Sequence, residues 1–441
     1  MVINSFKISK LHGSLDFELL FKENTLILLG ENGSCKTTII QMLYYTLSLQ
    51  WNKLSHYNFN KIEISIDGNK YEIKKDMLSP LITLEDKESN PKRIYFTDWT
   101  GEKTIKWSSD NYDLLELYDK NEISYHKLQR LSKNDKKELD KLSDINKILS
   151  NKLKDINIIY LPTYRRIEQE LKDVLKGRVD EEEYRYRKSK EEESVNYTEL
   201  IEFGMKDVDY SINNILNHLK ESSRFNLNQL TLGYLGEIVD EKYSTTNAEA
   251  IKSIDENTIH DIMNRVEESI LSEQRKERLS KALSSIKENG IGTDHDKVVC
   301  HYFLKLFESH KELIEKEQPI REFVEVCNRY IQNKSFIYDS PKFEFRIESQ
   351  DDEHNIKLSQ LSSGEKQIVS LFSHLYLTNK HNYLVLIDEP ELSLSVKWQK
   401  TFLEDVRNGK FCDGLIAVTH SPFIFDNSLD HYACGIEAFK K

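Results

Sequence analysis

The stretch Leu28–Thr38, LLGENGSCKTT, confines this chain to a narrow range of folds. It follows the spacing G-x-x-x-x-G-K-[ST] from Gly30 to Thr37, with one departure: Cys35 stands where such loops have glycine. The preceding run Thr25–Leu29, TLILL, has the composition of a buried strand, and Thr38–Leu49 carries a helix-like apolar face. A loop of this spacing between a buried strand and a helix turns successive backbone N–H groups inward and offers the positive end of the helix to an anion. Gly30 and Gly33 permit the tight turn, and Glu31, Asn32, Ser34, Cys35 and Thr38 complete the cradle. In such a loop Lys36 meets the β- and γ-phosphates of ATP and Thr37 ligates Mg²⁺. Cys35 adds a side chain at a crowded position but leaves the charged groups in place, so weakened rather than abolished binding is expected. Taken alone, the same residues also fit a Gly-rich turn before an ordinary helix.

Three further stretches bear on that choice. Tyr383–Glu389, YLVLIDE, is an apolar run ending in two carboxylates, as expected of a central parallel strand that opens onto a ligand crevice. Asp388 is placed to hold the metal and Glu389 to polarise an attacking water; the bland alternative is an acidic turn after a core strand. In Leu358–Gln367, LSQLSSGEKQ, the residues Ser362, Ser363 and Gly364 fall at a helix start, where hydroxyl and free N–H groups bind anions or merely cap the helix. Gly414–Thr419, GLIAVT, is another buried-strand run, followed by His420, which alone reads as a structural histidine. The four elements in this order point together to nucleotide binding.

GENGSCKT, LSSGEKQ, LVLIDEPELSLS and VTHS resemble the Walker A, signature, Walker B with D-loop, and switch-histidine motifs of ABC-type ATPases. The similarity is to the branch that holds the structural-maintenance-of-chromosomes, RecF and overcoming-lysogenisation-defect proteins. That resemblance implies two copies paired head to tail with ATP between the P-loop of one and the signature of the other. It assigns Lys36 and Thr37 to phosphate and Mg²⁺, Asp388 to the metal, Glu389 to the water, His420 to the γ-phosphate, and Ser362, Ser363 and Gly364 to the neighbour's ATP. Glu391–Ser395 would be the D-loop at the dimer seam.

Within the branch, LPTYRRIE, EFGMKDV, LSSGEKQ and THSPFIFDN are most similar to the stand-alone AriA-type ATPases of PARIS anti-phage systems, then to those of Septu systems. This implies a homo-oligomeric sensor and scaffold that holds a TOPRIM-type nuclease effector, encoded by a neighbouring gene, until a phage-encoded trigger protein is detected. About twenty residues follow His420, too few for a TOPRIM domain, and no H-N-H arrangement is visible, so nuclease activity is expected on another chain. The alternative is a RecF-like or SMC-like ATPase that clamps DNA.

The interval from Lys36 to Leu361 occupies most of the 441 residues, which sets the expected fold class: an α/β ABC-type P-loop ATPase head split by a long, mainly helical and possibly coiled-coil insertion. The expected organisation is a first lobe over residues 1–113, a charged helical segment over 114–155, a return to the core over 156–176, a helical insertion over 177–335 and a second lobe over 336–441. Asn58–Lys74 alternates around Asp67 and Gly68 and predicts a hairpin, and Arg93–Trp107 continues the β-rich part. Leu128, Leu131, Leu139, Leu142 and Leu149 recur at helical intervals.

Ile156–Leu161 predicts a strand, after which Arg165 and Arg166 open a helical stretch where they either touch phosphate or the dimer partner, or pair with Glu168 and Glu170 at the surface. The mixed charge run 180–193 predicts a solvated helix or loop. Helical periodicity covers Tyr197 to about Gln332, with a polar loop expected over Ser244–Asn257; Lys342–Ser349 alternates as a strand expected to re-enter the ATPase sheet. Five scattered cysteines without a C-x-x-C pair argue against a disulfide framework or a zinc site, and a net charge of −12 disfavours broad attraction to DNA, although a local basic strip could still bind it. No apolar run approaches bilayer length and no signal peptide is visible, so a cytoplasmic location without membrane contact is expected.

Overall fold

Strands that are apolar along their whole length bury both faces, and three such runs form the middle of a parallel sheet. The structure, a computed structural model, describes residues 1–78, 81–85, 93–97, 103–108, 135–162, 197–199, 205–247, 249–266, 271–349, 356–378 and 381–441. Its residues group into two compact units, Met1–Glu202 with Lys380–Lys441, and Phe203–Asn379.

In the first unit, β1 (Ile3–Leu11), β2 (Leu15–Leu20), β4 (Lys61–Ile66) and β5 (Asn69–Lys74) form an antiparallel sheet in the order β2-β1-β4-β5. The β4–β5 connection is the expected tight hairpin, with Asp67 and Gly68 both at positive φ (50° and 77°), the geometry that matches the strand twist. A second sheet holds β3 (Thr25–Leu29), β9 (Asn157–Leu161), β10 (Tyr197–Glu199), β13 (Tyr383–Asp388), β14 (Cys412–Thr419) and β15 (Ala433–Gly435) in the order β10-β9-β13-β14-β3-β15. All of its neighbours run parallel. Every residue of β13 is buried. A three-stranded antiparallel meander of β6 (Leu81–Glu85), β7 (Arg93–Thr97) and β8 (Lys103–Ser108) fills the expected β-rich part.

Register is what positions the site. Thr419 pairs with Leu29, and Asp388 pairs with Val418, so β3, β14 and β13 end side by side. The residues that follow each strand therefore emerge at one edge. Helix Lys36–Leu47 packs on this sheet: Tyr44 stacks on Tyr160 with ring centroids 4.9 Å apart, and Ile39, Ile40 and Leu43 are buried. Helix Asp135–Leu153 adds Leu142, Leu149 and Leu153 to the same core. Its Asn146 accepts from the Trp51 indole at 2.8 Å. Leu128 and Leu131 lie outside the described residues.

The second unit is built on two helices of 35 residues each, Met205–Val239 and Asp294–Asn328. They run antiparallel: Tyr234 donates to the Val298 carbonyl at 2.9 Å, while Asn226, eight residues earlier, reaches Glu312 at 3.4 Å. The second starts at a capping box in which Thr293 and Asp296 satisfy each other's backbone N–H. Shorter helices Glu256–Arg265 and Glu273–Asn289 close a core of Ile259, Ile262, Leu283, Phe303 and Leu306.

Two expectations are corrected here. Ser244–Asn257 is not a loop: it contains the end of a 3₁₀ turn, a helix over Glu249–Lys252 and the start of the next helix. Ile251 and Ile254, spaced one helical turn apart and both buried, anchor it despite its polar composition. The strand β12 (Glu344–Ser349) does not join the parallel sheet but pairs antiparallel with β11 (Lys334–Asp339). Its alternating face packs within the second unit, where Phe345 meets Phe336 edge to face at 5.2 Å and Phe323 at 6.4 Å. The alternation was legible, but not which surface it would cover.

One ionic cluster is built on a buried carboxylate in this unit, with the Arg265 side chain buried beside it and Arg321 reaching solvent. Glu317, 0% exposed, accepts both Arg265 amino groups at 2.7 and 2.9 Å and Arg321 at 2.8 Å. Arg265 also donates to Ser340 at 2.7 Å, tying the helix Glu256–Arg265 to the end of β11. A buried charge stripped of its partner is costly, so Glu317→Ala is expected to destabilise the fold by about 3–5 kcal/mol. Chemical denaturation of the variant beside wild type measures it.

Candidate nucleotide-binding site

The loop between β3 and helix Lys36–Leu47 is shaped by close approach. A Cβ on Gly30 would meet Ser34 Oγ and Ile436 Cγ2 at 2.8 Å, so any larger residue there would push those side chains aside. Ser34 donates to the Glu31 carbonyl at 2.7 Å, closing the turn. Cys35 adopts the left-handed conformation (φ 67°, ψ 13°), which explains in backbone terms why loops of this spacing carry glycine at that place. A cysteine there costs about 1–2 kcal/mol of local strain relative to a relaxed backbone. No side chain caps the helix that follows, so its first N–H groups face the pocket without a side-chain partner.

Lys36 is buried, and its amine donates to the carbonyls of Gly30 (2.9 Å) and Glu31 (2.8 Å) and to Ser34 Oγ (3.3 Å). Burial pushes its pKa down, while the nearby carboxylates of Glu389, Asp388 and Glu391 pull it back up. At the end of β13, Asp388 is 3% exposed; its Oδ1 accepts from Thr37 Oγ1 at 3.1 Å, and its Oδ2 has no hydrogen-bond partner. A buried carboxylate oxygen without a partner calls for an explanation. Burial raises the Asp388 pKa to about 7, with Glu389 and Glu391 adding to the rise and Thr37 and Lys36 opposing it.

The site thus fits Mg²⁺. The donor set is a carboxylate oxygen with a spare lone pair beside a threonine hydroxyl, the hard-oxygen chemistry that a Mg²⁺ shared with substrate phosphates uses. Among the described residues no group of three or more His, Cys, Asp or Glu is arranged to hold a metal unaided. When bound, Mg²⁺ would neutralise the phosphates and free Asp388 from its proton.

Glu389 follows Asp388 at positive φ (53°), and its backbone N–H is tethered to the Val418 carbonyl at 2.8 Å. That turn aims its side chain toward His420, whose Nε2 lies 4.0 Å from Glu389 Oε1. One pocket is lined by Asn32 to Thr38 on one side and by Glu389 and His420 on the other. Gly30 and Glu31 shape the loop beneath it, through the contacts already given, and Asp388 borders it through Thr37.

Ser362, Ser363 and Gly364 lie in the other unit, at the start of helix Ser363–Tyr376. Ser362 caps that helix in a capping box with Glu365, whose Oε2 accepts the Ser362 N–H at 2.7 Å. Lys334 at the start of β11 grips Glu365 at 2.9 Å. Burial works to raise the Glu365 pKa, but Ser362 and Lys334 outweigh it and hold it below the usual value. Ser362 and Ser363 are exposed, and Gly364 is buried. Arg165 and Arg166 lie outside the described residues.

Two interactions, one in each unit, were missed by sequence reasoning. Glu391, expected only at a seam, folds back so that its carboxylate accepts Thr419 Oγ1 at 2.8 Å and the His420 N–H at 2.7 Å. Lys334 was not singled out because its partner is 31 residues away in sequence and reached only through a hairpin.

A family model described as AAA ATPase domain matches residues 1–425. A comparison with curated proteins returns no match. Among solved structures the chain is similar to the Smc head domain with an extended coiled coil bound to the C-terminal domain of ScpA from Pyrococcus furiosus, at 12% identity and a TM-score of 0.33, covering 98% of this chain and 92% of that one. It is also similar to an SmcHead bound to the C-winged helix domain of ScpA, at 11% identity and a TM-score of 0.35, covering 99% and 94%.

Two outcomes are expected from this geometry. Because position 35 demands a left-handed backbone, Cys35→Gly should bind ATP at least as tightly as wild type, whereas β-branched Cys35→Val should bind about tenfold more weakly; a fluorescent-nucleotide titration separates them. Because Asp388 holds a proton below pH of about 7 and Mg²⁺ needs the carboxylate, Mg²⁺ affinity of the nucleotide complex should fall about tenfold per pH unit below that point and level off above it. Calorimetric Mg²⁺ titrations across that range, corrected for ATP protonation, check the slope. Without metal, the raised pKa means that the folded chain keeps a proton the unfolded chain has lost, so this group's contribution to stability falls as pH rises from the ordinary carboxylate range toward 7.

Proposed function

The chain belongs to the AAA ATPase domain family, and we propose that it is an ATP-controlled, self-associating sensor of an anti-phage defence system that governs a separate nuclease effector. The observation that carries the ATPase part is the convergence of Lys36, Thr37, Glu389 and His420 on one pocket, with the unpartnered oxygen of buried Asp388 behind Thr37. In this reading the loop N–H groups and Lys36 hold the phosphates, and Thr37 and Asp388 hold Mg²⁺. Glu389 orients the attacking water, and His420 meets the γ-phosphate. Ser362, Ser363 and Gly364 of the partner subunit cover the far side of the nucleotide, so ATP closes a head-to-tail dimer and hydrolysis opens it.

Support for the defence role comes from the motif resemblance in LPTYRRIE, EFGMKDV and THSPFIFDN and from the net charge of −12, which suits a protein-facing surface better than a DNA clamp. Among the described residues no helix is long and apolar enough to cross a membrane. The chain acts in the cytoplasm, restraining a TOPRIM-type nuclease made by a neighbouring gene until a phage-encoded protein disturbs the ATP-bound assembly.

Lys36→Ala is expected to abolish ATP-dependent assembly, since the main counter-charge to the phosphates is gone. Glu389→Gln should retain ATP and accumulate the closed dimer, since only water activation is impaired. Light scattering coupled to gel filtration, with and without ATP, reads both; unchanged assembly in Lys36→Ala overturns the reading. Co-purification with the neighbouring gene's product tests the defence role, and salt-sensitive DNA binding in place of a nuclease partner would redirect it to DNA clamping.

A further inference from the structure

The two residues at the end of β14 are held by a single carboxylate. Glu391 Oε2 accepts the Thr419 hydroxyl at 2.8 Å and Oε1 accepts the His420 N–H at 2.7 Å, so both oxygens are committed to one strand end. The loop that carries Glu391 is braced in turn. Gln399 donates to the Leu394 carbonyl at 3.0 Å and accepts the Ser421 hydroxyl at 2.7 Å, and Ser421 donates its N–H to Thr419 Oγ1 at 2.9 Å. Glu391, Thr419, Ser421 and Gln399 thus close a ring around the backbone of His420. Glu391 itself does not line the pocket, whereas His420 does.

We infer that Glu391 is a positioning residue for turnover, which fixes the backbone of His420 so that its imidazole meets the γ-phosphate, and which couples the loop Glu391–Ser395 to that histidine. The inference rests on the proposed role of His420. A carboxylate accepts both bonds with charged oxygens, whereas an amide accepts the His420 N–H with its one oxygen and must reverse the bond to the Thr419 hydroxyl, without the charge. Charge-assisted hydrogen bonds of this kind are short and directional, and a histidine displaced by even 1 Å loses most of its effect on the reacting phosphate. The same connection gives the loop a route to the pocket: a partner that moves residues 391–395 moves His420 with them.

The test is a double-mutant cycle on ATP turnover. Glu391→Ala is expected to lower kcat about tenfold or more while ATP affinity, read by fluorescent-nucleotide titration, stays within about twofold. Glu391→Gln should be intermediate. The combined Glu391→Ala, His420→Ala protein should turn over no more slowly than His420→Ala alone, because both remove one function. Independent, multiplying losses overturn the inference, since they mean that Glu391 acts other than through His420. A wild-type rate in Glu391→Ala beside a slowed His420→Ala also overturns it and leaves the ATPase reading intact. A wild-type rate in His420→Ala overturns the assigned role of His420 itself. Should Glu391→Ala fail to fold by thermal melting, Thr419→Val, which keeps the side-chain shape and removes the bond to Glu391 together with the acceptor of the Ser421 N–H, decides: an unchanged kcat in both Thr419→Val and Glu391→Gln sinks the inference.

Discussion

Three apolar strands ending in step are the constraint on which the site depends. β3 lies hundreds of residues from β13 and β14 in the sequence, yet their pairing sets Leu29 opposite Thr419 and Val418 opposite Asp388. A slip of one residue would turn every side chain of the shifted strand to the other face. In a sheet buried on both faces such a slip changes little in apolar content, because both faces are hydrophobic. The polar residues that close the strands are the ones with fixed partners: Asp388 against Thr37 and Thr419 against Glu391 beyond the sheet, and the Glu389 N–H on the Val418 carbonyl of β14. Residues proposed to hold metal and water are thus also among those that anchor the strand ends.

How much of this could be read from the sequence follows from the range of each interaction. Thr25–Leu29 and Tyr383–Asp388 were legible because a short apolar run bounded by a glycine turn or by carboxylates has few other uses. The hairpin at Asp67 and Gly68 was legible because turn chemistry is local. Ser244–Asn257 misled because its polar composition hid two isoleucines spaced for a helical turn. Lys342–Ser349 misled in destination and not in type: period-2 alternation says that one face is buried but never against what.

The P-loop residues stood out through spacing alone, since the hydrogen bonds that shape the loop span at most six positions. Glu391 and Lys334 did not, because each earns its place through a partner 28 or 31 positions away, with nothing local to mark it. Cys35 was visible as an anomaly, but its meaning was not. Crowding suggested a steric obstacle to the nucleotide, whereas the left-handed backbone shows a conformational demand that glycine meets more easily and cysteine tolerates.

The Lys36 amine carries one more implication. Its three acceptors, Gly30 and Glu31 carbonyls and Ser34 Oγ, all belong to the loop itself. An anion that engages Lys36 must therefore displace hydrogen bonds already made within the loop, so whatever affinity a phosphate shows is net of their loss.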